Sequence, residues 1–149
     1  MDLTLPSWLL TQTAAHAGRL VAGGMAAAGA RGYHYRLLVT LVESGPASQA
    51  ELGRRTGIHL SDMVATINEL TTQGYVERTP DPADRRRNVI TITPSGRERM
   101  RELATRLAAI QEELLAPLSD DERAQLTGLL GKLLTHHRGQ QGVPPLPTP

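Results

Sequence analysis

Arginine is the residue whose chemistry stands out in this sequence, and Arg85, Arg86 and Arg87 are consecutive. Sixteen residues are lysine or arginine, and all but one of them are arginine. A guanidinium group presents a planar fork of donors that matches phosphate oxygens and the acceptors on base edges. The run therefore predicts a segment that contacts anions. The alternatives are a solvated charge run and a genomic bias toward arginine.

The sequence contains no pattern that is typical of a catalytic or metal site. Cysteine is absent, which excludes disulfides, thiolate metal ligands and cysteine nucleophiles. There is no G-x-S-x-G nucleophile elbow, phosphate-binding loop or dinucleotide fingerprint. None of the five histidines has metal-ligand spacing with carboxylates, and they are His16, His34, His59, His136 and His137. We therefore expect no enzymatic activity, no metal and no cofactor.

Length, charge and hydropathy restrict the class of protein. The 149 residues fit one domain with or without appended helices. The net charge is only +1, so overall charge is no argument for nucleic acid. The N-terminus lacks a basic region followed by an apolar run, and no stretch approaches the roughly 20 apolar residues that span a bilayer. We expect a cytoplasmic protein that does not enter the membrane.

The elements that must position the arginines are mostly helical. Two helices are predicted at residues 7–28 and 33–43, and a capping box follows at 48–51. This box opens a short helix that ends at Gly57, where glycine suits a left-handed turn. A longer helix then runs from about residue 60 to 73. A short helix, a tight turn and a longer helix form a helix-turn-helix.

Two predicted strands flank the arginine run, at residues 75–79 and 88–93. The segment between them carries two prolines and two aspartates, which favour a turn. A basic hairpin directly after a helix-turn-helix is a wing. Thr93-Pro94 then begins a helix to about Leu115, and a second capping box at 119–122 begins a last helix. From about His136 the glycines, glutamines and prolines predict a disordered tail.

The order of these elements and four short motifs resemble the MarR (multiple-antibiotic-resistance regulator) family over nearly the whole chain. The motifs are QAELGRRTG at 49–57, GYVER at 74–78, DPADRR at 81–86 and ITPSG at 92–96. Each motif is weak alone, but their order and spacing together are specific. The resemblance implies a sequence-specific transcriptional regulator, more often a repressor, that reads a palindromic double-stranded DNA operator as a homodimer.

The resemblance also implies a fold class, which is mainly α with a small β-wing. It predicts a winged helix-turn-helix DNA-binding domain between N- and C-terminal dimerisation helices. The predicted bounds are 1–32 for the first dimerisation helix and connection, 33–96 for the DNA-binding domain, 97–138 for the last helices and 139–149 for the tail.

The N-terminal residues of a recognition helix face the bases of the major groove. The candidate base readers are therefore His59, Ser61, Asp62, Ala65 and Thr66. The alternative for each is ordinary capping or solvent exposure. Asp62 could accept from a cytosine amino group or simply favour the positive end of the helix dipole. Members of the family often carry a basic residue where Glu69 stands, so a phosphate contact there is in doubt.

The wing should bring Arg85, Arg86 or Arg87 into or beside the minor groove, which attracts arginine where it is narrow. The resemblance implies that Asp84 or Asp81 holds one of these arginines in place. The remaining candidate DNA contacts are Ser48, Gln49, Arg54 and Arg78.

The first helix and the last two helices are apolar over much of their surface. Packing within one chain is one explanation, and the homodimer that the resemblance implies is the other. Members of the family often bind small, frequently aromatic, anionic effectors between the dimerisation helices and the DNA-binding domain. The candidate effector contacts here are Trp8, His16, Arg19, His34 and Arg36. A core position is the alternative for Trp8 and His16.

A winged-helix module for protein interaction, with weak or no DNA binding, is the competing interpretation. The acidic Asp62 and Glu69 and the near-neutral net charge favour it. Phosphate contacts release counterions, so a steep salt dependence of DNA binding distinguishes a DNA-binding protein from such a module.

Overall fold

The computed structural model describes residues 3–140, in two compact units that divide between Leu114 and Leu115. The predicted fold class, mainly α with a small wing, is confirmed. The elements of the first unit are α1 (Pro6–Ala27), α2 (His34–Ser44), β1 (Ala47–Ser48), α3 (Gln49–Thr56), α4 (Leu60–Thr72), β2 (Val76–Pro80), β3 (Asn88–Ile92) and α5 (Pro94–Leu114). The second unit carries α6 (Asp120–Gln140). No helix within the described range is long and apolar enough to cross a membrane.

The core of the first unit is built around α2. Its side chains Leu37, Leu38 and Leu41 are fully buried. The helices α3, α4 and α5 and the strand β3 all contact α2. Each of these neighbours contributes buried apolar residues, and the helical ones lie at helical spacing: Leu52, Met63, Ile67, Leu70, Ile90 and Leu103. Burial of this one apolar stripe therefore fixes where the helix-turn-helix lies.

The helix-turn-helix forms as its local signals predict. The Ser48 hydroxyl accepts from the Glu51 backbone N–H at 3.2 Å and caps α3. Gly57 ends the helix with φ of 70°, a left-handed conformation that glycine adopts without steric cost. The Glu51 carboxylate pairs with Arg55 one turn along the helix. Of the two hydrogen bonds of the predicted capping box, the one accepted by the Ser48 hydroxyl is therefore observed, and the Glu51 carboxylate pairs with Arg55 instead of the Ser48 N–H.

The wing belongs to a three-stranded antiparallel sheet in the order β1-β3-β2. Strands β2 and β3 pair from Val76 opposite Ile92 to Pro80 opposite Asn88. The sequence did not predict β1, which has two residues and pairs with β3 on its other side. This short strand joins the start of the helix-turn-helix to the wing.

The second unit begins with a complete capping box. The Ser119 hydroxyl accepts from the Glu122 N–H at 3.2 Å, and the Glu122 carboxylate accepts from the Ser119 N–H at 3.0 Å. The helix continues through His136 to Gln140. The expected start of the disordered tail at about His136 is therefore corrected, because residues 136–140 are helical. Residues 141–149 lie outside the described part of the chain.

A close backbone contact joins the end of α4 to the start of α5. The Tyr75 carbonyl accepts from the Thr93 N–H at 3.1 Å, and the Thr93 hydroxyl donates to the Gly74 carbonyl at 2.7 Å. A Cβ atom at the buried Gly96 would overlap the carbonyl oxygen of Tyr75. Only glycine fits here without moving backbone.

Replacing Gly96 with alanine should lower the free energy of unfolding by roughly 2 kcal/mol or more, because the methyl group meets backbone that cannot rotate away. Urea unfolding at one fixed protein concentration measures this change. Gly53→Ala is the matched control, since a Cβ atom there has open space. The control should be neutral or more stable by less than about 1 kcal/mol. Equal destabilisation by both substitutions would contradict the contact.

Candidate nucleic-acid interface

The second helix of the helix-turn-helix, α4, presents a partly apolar outer face. Its inner face carries the buried Met63, Ile67 and Leu70. The exposed side chains among its first nine residues form the outer face: Leu60, Ser61, Asp62, Val64, Ala65 and Asn68. Three of the predicted base readers, Ser61, Asp62 and Ala65, lie on this outer face.

The prediction for Thr66 does not fit this geometry. Thr66 is only 5% exposed, and its hydroxyl donates to the Asp62 carbonyl at 2.7 Å. A buried hydroxyl that bonds within its own helix is not free to reach a base. Thr66 is therefore a core position. The sequence analysis chose it for its place near the N-terminus of the helix, although Met63, Thr66, Ile67 and Leu70 have the i, i+3, i+4, i+7 spacing of one buried face.

His59 acts as the N-cap of α4. Its Nδ1 accepts from the Ser61 backbone N–H at 3.4 Å and lies 3.0 Å from the Ser61 hydroxyl. The side chains of His59 and Ser61 at the start of α4 are therefore hydrogen-bond partners of each other. Capping, which the sequence left open as the alternative for His59, is what the structure shows.

A recess of about 300 Å³ lies between the helix-turn-helix and the wing. Its lining comes from the start of α3, from Leu60 and from both wing strands: Ser48, Gln49, Ala50, Leu60, Arg78, Arg87, Asn88 and Ile90. Arg78 donates to the Asn68 side-chain oxygen. Four predicted DNA contacts, Ser48, Gln49, Arg78 and Arg87, thus line one concavity with the first residue of α4. Arg54, on α3, is exposed and is not part of this lining.

The tip of the wing is organised by Asp84. Its carboxylate accepts from the Arg86 backbone N–H at 3.1 Å and from the Arg86 guanidinium at 3.2 Å. These two bonds, the backbone one first, hold the pKa of Asp84 below its ordinary value. Arg87 also lies within ion-pair distance of this carboxylate. Asp84 therefore orients two of the three wing arginines.

Asp81 has a different role from the one considered for it. Its carboxylate accepts from the Ala83 N–H at 2.9 Å, which is an Asx turn, and its own N–H donates to the Arg87 carbonyl at 2.8 Å. It therefore shapes the wing through backbone bonds. Arg86 is 92% exposed despite its bond to Asp84, so its guanidinium stays accessible.

Glu69 is engaged inside the chain. Arg31 donates to its carboxylate through Nε at 3.1 Å and also through a terminal nitrogen. The Nε2 of His34, a buried side chain, lies 2.6 Å from the second carboxylate oxygen. The bonds from Arg31 and then His34 hold the pKa of Glu69 below its ordinary value, against a smaller opposing effect of burial. The helix α4 is therefore tied to the connection between α1 and α2 and to the first residue of α2.

The candidate effector contacts are divided between α1 and α2. His34 bonds to Glu69, while Arg36 lies over the Tyr33 ring and donates to the Thr56 carbonyl at 3.4 Å. The other three lie on α1: Trp8, His16 and Arg19, of which His16 and Arg19 bond to each other. None of the five lines the cavity beside α4 that Arg31, Tyr33 and Thr66 border.

Sequence reasoning missed four residues of this surface: Arg31, Leu60, Val64 and Asn68. The helical period supplies a signal for Val64 and Asn68, which lie away from the stripe of Met63, Ile67 and Leu70. It supplies none for Leu60, which has the spacing of that stripe but is the first residue of α4 and stays exposed. No local signal finds Arg31, whose partner Glu69 is 38 residues away.

Glu69→Gln should lower the free energy of unfolding at pH 7 by roughly 1 kcal/mol, because a half-exposed charged hydrogen-bond pair is lost. The pKa of Glu69 is lower in the folded than in the unfolded chain, so its contribution is complete above the unfolded value of about 4.3. It disappears as the pH falls through the lower folded value. Urea titrations from pH 7 to pH 3 should show the two proteins converging.

The exposed strand residue Glu77 provides the control substitution, Glu77→Gln. It should leave stability at pH 7 within about 0.5 kcal/mol of the parent. A Glu69→Gln variant that differs from the parent equally at pH 7 and pH 3 would contradict the charge-based account.

Comparison with known proteins agrees with this geometry. A model of the MarR family matches residues 24–87. A probable transcriptional regulator of known structure from Pseudomonas aeruginosa is 32% identical, with 87% of this chain and 97% of that chain aligned and a TM-score of 0.77. The PcaV transcriptional regulator from Streptomyces coelicolor, solved with its natural ligand, is 28% identical over 90% of this chain and 95% of its own, with a TM-score of 0.74.

A curated transcriptional repressor aligns over a shorter part of both chains. The transcriptional repressor NicR of Pseudomonas putida is 30% identical over 65% of this chain and 61% of NicR. The match spans about 60% of the length of the first curated relatives. Because the family model, the solved structures and the curated relatives agree with the observed elements, the chain belongs to the MarR family of transcriptional regulators.

Proposed function

We propose that this protein regulates transcription by binding a palindromic double-stranded DNA operator as a homodimer. The observation that carries the proposal is the recess between α3, α4 and the wing. This recess lies between α4, the helix that can enter a major groove of DNA, and the wing arginines, which can contact the DNA phosphates and the minor groove. In this proposal residues 33–96 form the DNA-binding domain, and the helices of 1–32 and 97–138 form the dimer.

Local charge supports DNA as the partner. The three wing arginines are exposed and Arg78 and Arg87 border the recess, so positive charge is concentrated where phosphates would pass. In the sequence, the acidic Asp62 and Glu69 favoured a protein-interaction module instead of a DNA-binding protein. The charge of one of them, Glu69, is compensated by Arg31, which leaves Asp62 as the acidic side chain of the outer face of α4. DNA binding is therefore favoured over that alternative.

Exposed apolar side chains support self-association. On α1 they are Trp8, Leu9 and Leu10, and on α6 they are Leu129, Leu130, Leu133 and Leu134. Monomeric proteins rarely expose so many large apolar side chains on single helices. A second copy that covers them would present two recognition helices to half-sites about one helical turn apart, roughly 34 Å.

The proposal also includes repression, as opposed to activation, and regulation by a small ligand. PcaV was solved with a natural ligand and NicR is named a repressor, and we extend both properties to this chain as expectations. A ligand releases DNA only if it binds the non-DNA conformation more tightly. The proposal assigns no catalytic role and includes the cytoplasmic location expected for a protein that works on DNA there.

Arg86→Ala should weaken operator binding at least tenfold, because a charge-assisted contact is lost and Asp84 loses the guanidinium that it orients. Gel-shift titrations at low salt, with a duplex selected by the purified protein from a random library, measure the dissociation constant. Arg106→Ala, an exposed arginine on α5, removes the same charge away from the wing and should change affinity less than threefold. Equal affinity of Arg86→Ala and the parent would exclude the wing contact.

Light scattering at micromolar concentration should give twice the mass of one chain. Leu133→Glu adds a charge to the apolar surface of α6 and should shift the protein toward the monomer. Thr135→Glu adds the same charge at an exposed polar position of the same helix and should leave the dimer intact. A monomeric parent protein would remove the two-fold operator from the proposal.

A further inference from the structure

We propose that α4 reads thymine through the methyl group, using an apolar ridge formed by Leu60 and Val64. This inference rests on the proposed DNA-binding function and specifies how that site selects sequence. Thymine carries a 5-methyl group in the major groove, whereas cytosine presents an amino donor there and no methyl. An apolar side chain at that position therefore favours thymine.

The exposure of the two side chains is the first support. Leu60 is 64% exposed and Val64 is 37% exposed. They are four residues apart on one helix, so their side chains are neighbours on the same face. Ala65, also exposed, follows Val64 and adds a third apolar side chain beside the ridge.

The polar groups around the ridge are the second support, because most of them already have partners. The Ser61 hydroxyl lies against the His59 ring, and the Asn68 oxygen accepts from Arg78. Hydrogen-bond readout through the Asn68 oxygen would compete with Arg78, and readout through the Ser61 hydroxyl would share it with His59. The apolar side chains need no such rearrangement to meet a methyl group.

The surroundings of the ridge commit it to DNA as its occupant. Leu60 lines the recess together with Arg78 and Arg87, so positive charge borders one end of the ridge. A partner protein would bury those guanidinium groups or require matched carboxylates, whereas a DNA duplex supplies phosphates beside its base edges. Charge complementarity thus favours the operator over a second protein surface.

Deoxyuridine provides the direct test, since it lacks only the methyl group and keeps the hydrogen-bonding pattern of thymine. The probe is a duplex selected from a random library by the purified protein, with each thymine replaced singly in both half-sites. At one or two positions per half-site the dissociation constant should rise about fourfold, the value for one buried methyl group. Other positions should not respond.

Side-chain truncation identifies the ridge as the cause. In Leu60→Ala or Val64→Ala, the response at the sensitive position should fall to less than about 1.5-fold, because the methyl group has lost its partner. Thr72→Ala, at the exposed far end of α4, should keep the parent response. Both ridge positions are exposed, so the variants should fold, which thermal unfolding monitors independently.

Three results would overturn the inference. A tightly bound duplex that responds to deoxyuridine nowhere would show that methyl groups are not read. A response that persists unchanged in both ridge variants would assign the contact to other residues. A self-association lost in Val64→Ala would assign the ridge to a second copy. Failure of the proposed function differs from all three, because no duplex would then bind with a steep salt dependence.

Discussion

Burial of the α2 leucine stripe is the constraint on which the first unit depends. Leu37, Leu38 and Leu41 are fully buried, and three helices and a strand contact the helix that carries them. The sequence lacks phenylalanine, so aliphatic side chains must fill this core without large rings. The orientation of α4 follows from this packing, because Met63, Ile67 and Leu70 must face inward. The side chains of α4 that do not take part in this packing form its outer face.

Backbone contacts and one charged cluster then hold α4 in its orientation. Just after its C-terminal end, Gly74 and Tyr75 bond to Thr93, the residue before α5, and Gly96 in the first turn of α5 allows the close approach. On its flank, Glu69 is held by Arg31 and His34. The first contact is steric and independent of pH, whereas the second depends on an ionised carboxylate. The helix is thus fixed by two physically different means.

The same cluster also changes the electrostatic character of the surface. A free carboxylate at Glu69 would repel phosphates, but two donors take up its oxygens and a guanidinium compensates its charge. At the wing the arrangement is reversed, since Asp84 orients Arg86 while leaving the guanidinium exposed. Acidic residues therefore act here as internal partners of arginine, which explains how a nearly neutral chain keeps a locally basic surface.

The sequence by itself determined the order of the helices and of the two wing strands, and most of their bounds, because capping, turn and periodicity signals are local. Ser48, Gly57 and Ser119 act as these signals predict, and the wing arginines lie at the hairpin tip. Tertiary structure decided the features that depend on residues distant in the chain. The strand β1 exists only because β3 pairs with it, and the partner of Glu69 is Arg31, 38 residues earlier. The burial of Thr66, by contrast, follows already from the helical period, because Thr66 shares one helix face with Met63, Ile67 and Leu70. Local free energies fix where helices begin and end, but burial and ion pairing arise only once the elements meet.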